Sequence, residues 1–178
     1  MMVKNVLIIH GWNATVQDHW FLEAKEKWEK KGLKVEVPEM PGDYFPKAQE
    51  WLELIESFHP DESWVLMGHS LGGVAILNYL ENTDRPIAKA ILIATPLTPM
   101  HFEALDNFFE GGFNWEQIKS KCLKFEIVNE DNDPAVPLEH GQKYAQNLSG
   151  NLHVVRGYTH FHEIDLNFLE KLINEANS

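Results

Sequence analysis

Short β-branched runs alternate with longer stretches of helical period along this chain, and no other feature limits its fold so tightly. Val6-Leu7-Ile8-Ile9 reads as a buried strand, and Gln17 to Lys31 then places Trp20, Phe21, Ala24 and Trp28 on one helical face. Gly32 closes that helix, and Leu33 to Val37 alternates as a strand. The same rhythm predicts a helix from Pro46 to Phe58, a strand from Trp64 to Met67, a helix from Leu71 to Asn82 and a strand from Ala88 to Ala94. A less regular stretch covers Thr95 to Lys121. It is followed by a strand (Leu123 to Val128), a helix (Leu138 to Leu148), a strand (Leu152 to Val155) and a helix (Glu163 to Asn174). Parallel neighbours need crossover connections, so strands separated by helices imply an α/β fold, one parallel sheet with helices on both faces. At 178 residues the chain suits a single domain spanning residues 1–178.

Gly68-His69-Ser70-Leu71-Gly72-Gly73 falls where the third strand should end and the next helix begin. This is the G-x-S-x-G pattern of a nucleophile elbow. The turn pushes a serine Oγ above the sheet, and small flanking residues let the strand and helix pass each other. Ser70 is therefore the candidate nucleophile of an acyl-transfer reaction.

Sites on an open parallel sheet lie beyond the carboxyl ends of its strands. His10-Gly11-Trp12 follows the first strand, Ser70 the third, Asp133 the fifth and His160 the sixth. A serine needs a neutral imidazole as base, and that imidazole needs a carboxylate on its other nitrogen. Within Asn129-Glu130-Asp131-Asn132-Asp133-Pro134, Asp133 is favoured because it leads rigidly into the next helix, with Asp131 as the alternative. His160 and His162, both after the last strand, compete for the base. His19, His59, His101, His140 and His153 are expected away from this rim. His69 is expected to support the turn or line the pocket, and His10 to hold the oxyanion loop. The backbone N–H groups of Leu71 and Trp12, with Asn13 in reserve, would stabilise the developing oxyanion. Losing one such donor typically costs on the order of 3 kcal/mol of barrier.

A formal charge of −12 repels phosphate backbones and anionic lipid, which argues against nucleic-acid or membrane-surface partners. Cys122, the single cysteine, excludes an internal disulfide and reads as a small core filler. Met1 to Asn5 leads too quickly into the first strand to be a signal peptide, so a cytoplasmic protein is expected.

With His-Gly, Gly-His-Ser-Leu-Gly-Gly, Asp-Pro-Ala-Val-Pro and His160-Phe161 in this order, the chain resembles the α/β-hydrolases. More narrowly, it is similar to the small lidless serine hydrolases of the retinoblastoma-binding-protein type and the bacterial YdeN type. The resemblance extends to Asp18-His19-Trp20 and to Met40-Pro41 with Trp51. It implies a compact fold with strand order 2-1-3-4-5-6, no large cap domain, and a triad of Ser70, Asp133 and His160. Thr159 stands where such proteins usually carry glycine before the catalytic histidine. The Leu-x-Cys-x-Glu motif for binding the retinoblastoma protein is missing around Cys122, so that partnership is not expected.

The expected activity is a carboxylesterase-like serine hydrolysis of a small-molecule ester, with thioesters or amides as variants and no metal or organic cofactor. A protein-interaction module on the same scaffold is the alternative, and an intact triad weighs against it. Phe102, Leu105, Phe108, Phe109, Phe113 and Trp115 in the irregular stretch either wall an acyl pocket or pack that stretch onto the body.

Overall fold

The computed structural model describes residues 3–175. Met1 and Met2, part of the segment expected not to be a leader, lie outside them. Among the described residues, six strands form one parallel sheet: β1 (Asn5–Ile9), β2 (Lys34–Glu36), β3 (Trp64–His69), β4 (Lys89–Ile93), β5 (Phe125–Glu130) and β6 (Asn151–Val155). Their order is β2-β1-β3-β4-β5-β6, as the resemblance implies. The chain leaves β1 toward β2 on one side and returns to β3 on the other, so a crevice opens at the carboxyl ends of β1 and β3.

Helices α1 (Phe21–Glu29), α2 (Ala48–Ser57), α3 (Leu71–Asn82), α4 (Trp115–Ser120), α5 (Leu138–Leu148) and α6 (Leu166–Asn174) cover both faces. On one face Trp51 and Ile55 of α2, the apolar side chains of α3, and Tyr144 and Leu148 of α5 pack on alternate strand residues such as Leu7, Ile9, Leu66 and Leu92. On the other, Phe21, Ala24 and Trp28 of α1 meet Leu169, Leu172 and Ile173 of α6 over Val6, Ile8, Val65 and Ile91. The strand residues divide between the faces by the two-residue period of extended backbone. Among the described residues no helix is long and apolar enough to cross a membrane.

Helices α3 and α5 begin and end where the sequence pattern places them, but α1 starts four residues later than expected. Asp18 accepts hydrogen bonds from the amide (2.7 Å) and hydroxyl (2.9 Å) of Thr15, and the Asp18 amide returns one to the Thr15 carbonyl. This is a turn tied by its own side chains. It makes a separate turn and leaves His19 with a left-handed φ of 55° before the helix begins. The irregular stretch contains a single 3-10 segment, Glu103–Phe108, and the short α4, with no cap domain.

Lys89 is buried within β4, and its ammonium reaches the end of α6, donating to the carbonyls of Leu172 and, at 3.0 Å, Glu175. A cation there satisfies carbonyls that helix geometry leaves open. Burial holds the Lys89 pKa below its usual range.

Helix α3 starts hard against β1. A Cβ built on Gly72 would lie 2.2 Å from the Ile9 carbonyl oxygen and 2.7 Å from that of His10. Both obstacles are backbone, so they cannot rotate away. Gly72→Ala is expected to lower unfolding stability by about 3 kcal/mol, the upper part of the usual overpacking range. Urea denaturation measures this, and a midpoint equal to wild type would refute the close approach.

Candidate active site

Ser70 sits between β3 and α3 with φ 52° and ψ −122°, a conformation that L-residues rarely adopt. Such strain costs on the order of 1–3 kcal/mol and persists only where the surroundings enforce it. Here its amide donates to the Ile93 carbonyl of β4 at 2.8 Å, and its carbonyl accepts from the Gly73 amide at 3.0 Å. Both polar groups of the strained residue are thus tied into regular structure.

The side chain opens into a cleft of about 280 Å³ lined by Gly11, Trp12, Asn13, Ala14, Asp18, His19, His69, Ser70, His160 and His162. Four of these, Asn13, His19, Ser70 and His160, have left-handed backbone angles. Strain is concentrated where the chain surrounds this cleft. A larger hollow of about 640 Å³, between residues 45–49 and Ala104–Glu110, contains none of them.

His160 lies on the loop after β6, and its Nδ1 is 2.9 Å and 3.1 Å from the two carboxylate oxygens of Asp133. The Asp133 side chain is shielded from solvent and also accepts from the Ala135 and Val136 amides at 2.7 and 2.9 Å. Burial alone would raise its pKa. The hydrogen bonds from His160, Val136 and Ala135 outweigh that and hold the carboxyl below its usual range. With Nδ1–H committed to Asp133, Nε2 remains as the basic nitrogen of the ring.

The neighbouring carboxylates have other partners. Asp131 pairs with the Arg156 guanidinium at 2.7 Å, and Glu130 accepts from the Tyr158 amide at 2.7 Å. His162 stacks on His19 with ring centroids 4.6 Å apart, and it is His160 that meets Asp133.

The loop after β1 is held by His10. The Met40 amide donates to its Nε2 at 2.8 Å, which leaves the proton on Nδ1 to be donated to the Gly11 carbonyl, also at 2.8 Å. The Gly11 carbonyl and the Trp12 N–H belong to one planar trans peptide and point in opposite directions. Fixing the carbonyl therefore fixes where the Trp12 N–H points. A Cβ on Gly11 would come within 3.1 Å of the Ser70 Cβ, a crowded contact that glycine avoids. Leu71, as the first residue of α3, carries an amide without an intrahelical acceptor.

His19 is a correction to the sequence reading, which places it away from the rim. It lines the cleft because the Thr15–Asp18 turn halts the helix before it. The Thr-x-x-Asp spacing was the available signal. Of the aromatics in the irregular stretch, Phe108 is buried, while Phe109, Phe113 and Trp115 pack against the core. Phe102 is 49% exposed and meets Trp12 at 4.8 Å between centroids. The stretch is thus mainly packed onto the body, with Phe102 alone reaching the cleft wall. Cys122 is buried, as expected of a core filler, and burial pushes its thiol up to about 12.

His69 is fully enclosed beneath the cleft. Burial first, and then the neighbouring His160, lower its pKa from 6.5 to about 3. The unfolded chain takes up a proton near 6.5 that the folded chain refuses until about 3. Its neutral state therefore favours folding above that window, and stability falls as acid is added through it, by about 1.4 kcal/mol per pH unit. His69→Gln, which cannot charge, is expected to lose about 2 kcal/mol less stability than wild type between pH 7 and pH 5. Parallel urea denaturation series at the two pH values test this, and identical losses would contradict it.

A family described as serine hydrolase matches residues 6–167. The chain is 28% identical over 167 residues to YdeN of Bacillus subtilis (strain 168), covering 91% of this chain and 88% of YdeN. It is 25% identical over 156 residues to the serine hydrolase RBBP9 of Rattus norvegicus, covering 82% of each. The crystal structure of the ydeN gene product superposes with a TM-score of 0.83 at 27% identity, over 89% of this chain and 88% of that one. Est1E from Butyrivibrio proteoclasticus shares the fold, with a TM-score of 0.72 at 17% identity over 97% and 86% of the two chains.

Proposed function

The chain belongs to the serine hydrolase family, and on that footing we propose that it cleaves carboxylic esters through an acyl-enzyme on Ser70. The observation that carries this reading is the double contact of His160 Nδ1 with the shielded Asp133 carboxylate, in a ring that lines the same cleft as Ser70.

The Ser70 Oγ attacks the ester carbonyl carbon as its proton passes to His160 Nε2. Asp133 keeps the ring in the required tautomer and stabilises the imidazolium. The carbonyl oxygen becomes an oxyanion facing the N–H groups of Leu71 and Trp12. Collapse of the tetrahedral intermediate breaks the bond to the leaving oxygen, which takes the proton from His160. Water, deprotonated by the same nitrogen, then attacks the acyl-enzyme and releases the carboxylic acid and free Ser70.

A cleft of about 280 Å³ suits compact acyl or alcohol groups, and the exposed Phe102 against Trp12 offers an apolar wall. Thioesters and amides fit the same steps with a different leaving atom.

Ser70→Ala is expected to abolish labelling by a fluorophosphonate probe and to lower turnover of short-chain nitrophenyl esters at least a thousandfold, about what loss of a serine nucleophile costs. Undiminished labelling of that variant would sink the assignment. Wild-type kcat/KM is expected to fall on acidification, because protonated His160 cannot accept the serine proton. A kcat/KM that does not fall on acidification while the enzyme stays folded would contradict His160 as the base.

A further inference from the structure

We propose that His69, the residue before Ser70, is a positioning residue that sets the catalytic histidine through its main chain. This inference rests on the serine-hydrolase reading of the site. The His69 Nε2 lies 2.9 Å from the carbonyl oxygen of His160. A carbonyl only accepts, so Nε2 carries the hydrogen. His69 Nδ1 is then the bare nitrogen, buried and without a hydrogen-bond partner. An enclosed ring with one committed nitrogen serves as a fixed strut between the serine elbow and the histidine loop.

That loop needs holding. His160 and Phe161 are consecutive non-glycine residues with φ of 49° and 54°. Left-handed pairs of this kind are unfavourable for side-chain-bearing residues. Neighbouring groups hold other points of the loop: Trp20 Nε1 donates to the Phe161 carbonyl at 3.1 Å, and Glu130 accepts from the Tyr158 amide. His69 alone among these bonds the peptide of His160, and it does so from the residue adjoining Ser70.

The His160 ring is therefore located from two directions. Asp133 holds Nδ1, while His69 holds the backbone from which the ring springs. The titratable groups around His69 are His19, with centroids 5.4 Å away, His160 at 5.0 Å, and Asp133 beyond it. Burial keeps the His69 proton in place while His160 gains and loses its own.

Three variants test the proposal. Gln carries its amide nitrogen at a reach close to that of His Nε2, Asn falls short, and Leu fills space without a donor. His69→Leu and His69→Asn are expected to lower kcat for a nitrophenyl acetate substrate by about a hundredfold, as for a misplacement of roughly 1 Å, with KM changed far less. Loosening the His160–Asp133 contact removes stabilisation of the imidazolium, so the acid limb of kcat/KM should move to lower pH in both variants. His69→Gln should recover most of kcat and the wild-type limb.

Folded Leu or Asn variants with wild-type kcat and pH profile would overturn the proposal. So would a Gln variant no better than Asn. Should Leu fail to fold, the comparison of Gln with Asn decides alone. A wild type that neither labels nor turns over ester overturns the hydrolase reading and this one with it. A labelled, active wild type with insensitive His69 variants overturns this one only.

Discussion

The first turn of α3 lies against the last carbonyls of β1, and the height of Ser70 above the sheet depends on that contact. Gly72 admits the Ile9 carbonyl where any side chain would strike it. The helix can therefore begin directly above the β1–β3 crevice, and the chain must turn within one residue to enter it. Ser70 takes up the turn with a left-handed φ, pinned by Ile93 on β4 and by the first turn of α3. The loop after β1 then runs so close that a side chain at Gly11 would crowd the serine. The candidate nucleophile, the candidate oxyanion donors and the crevice thus follow from one backbone approach between two apolar elements.

Three histidines near this point each have the position of the ring proton set by a different partner. His10 donates from Nδ1 to the Gly11 carbonyl because the Met40 amide occupies Nε2. His69 donates from Nε2 to the His160 carbonyl. His160 turns Nδ1 to Asp133, which leaves Nε2 without its proton. Only the last imidazole has both a carboxylate to stabilise its charge and access to the cleft. The same side chain is thus enclosed and fully partnered in one setting and, in the proposed mechanism, a proton carrier in another.

The parallel sheet, α3, α5 and the strand-end positions of Ser70, Asp133 and His160 were legible in the sequence because apolar period and strand-end placement reinforce each other, whereas the strand order followed from the family resemblance. In α3 the apolar face extends nearly all round, and the small residues of the elbow mark its start. Strand β3 runs two residues further than its apolar pattern, because Gly68 and the buried imidazole of His69 end the apolar run before the ladder ends. His19 was hidden by a local competition: Asp18 bonds Thr15 instead of opening a helix. The anchoring of Lys89 to the end of α6 links residues more than 80 positions apart and leaves no periodic trace. Likewise, nothing in the pattern distinguishes Phe102, which stays out, from Phe108, which turns in.

Phe102, Tyr44 and Phe45 are 49%, 60% and 79% exposed, so the protein gains little stability from them. Phe102 packs at a tilt against Trp12, and the Trp12 indole donates to the Tyr44 carbonyl, a bond indifferent to the side chain at position 44. Exchanges at these positions leave the elbow, the His10 strut and the core untouched, and surface changes of this kind usually shift stability by no more than about 0.5 kcal/mol. The aromatic surface outside Trp12 is therefore mutationally cheap while the floor of the cleft is rigidly specified. Such a division lets the residues around Trp12 change one at a time without drawing on the stability that holds Ser70 in its strained turn.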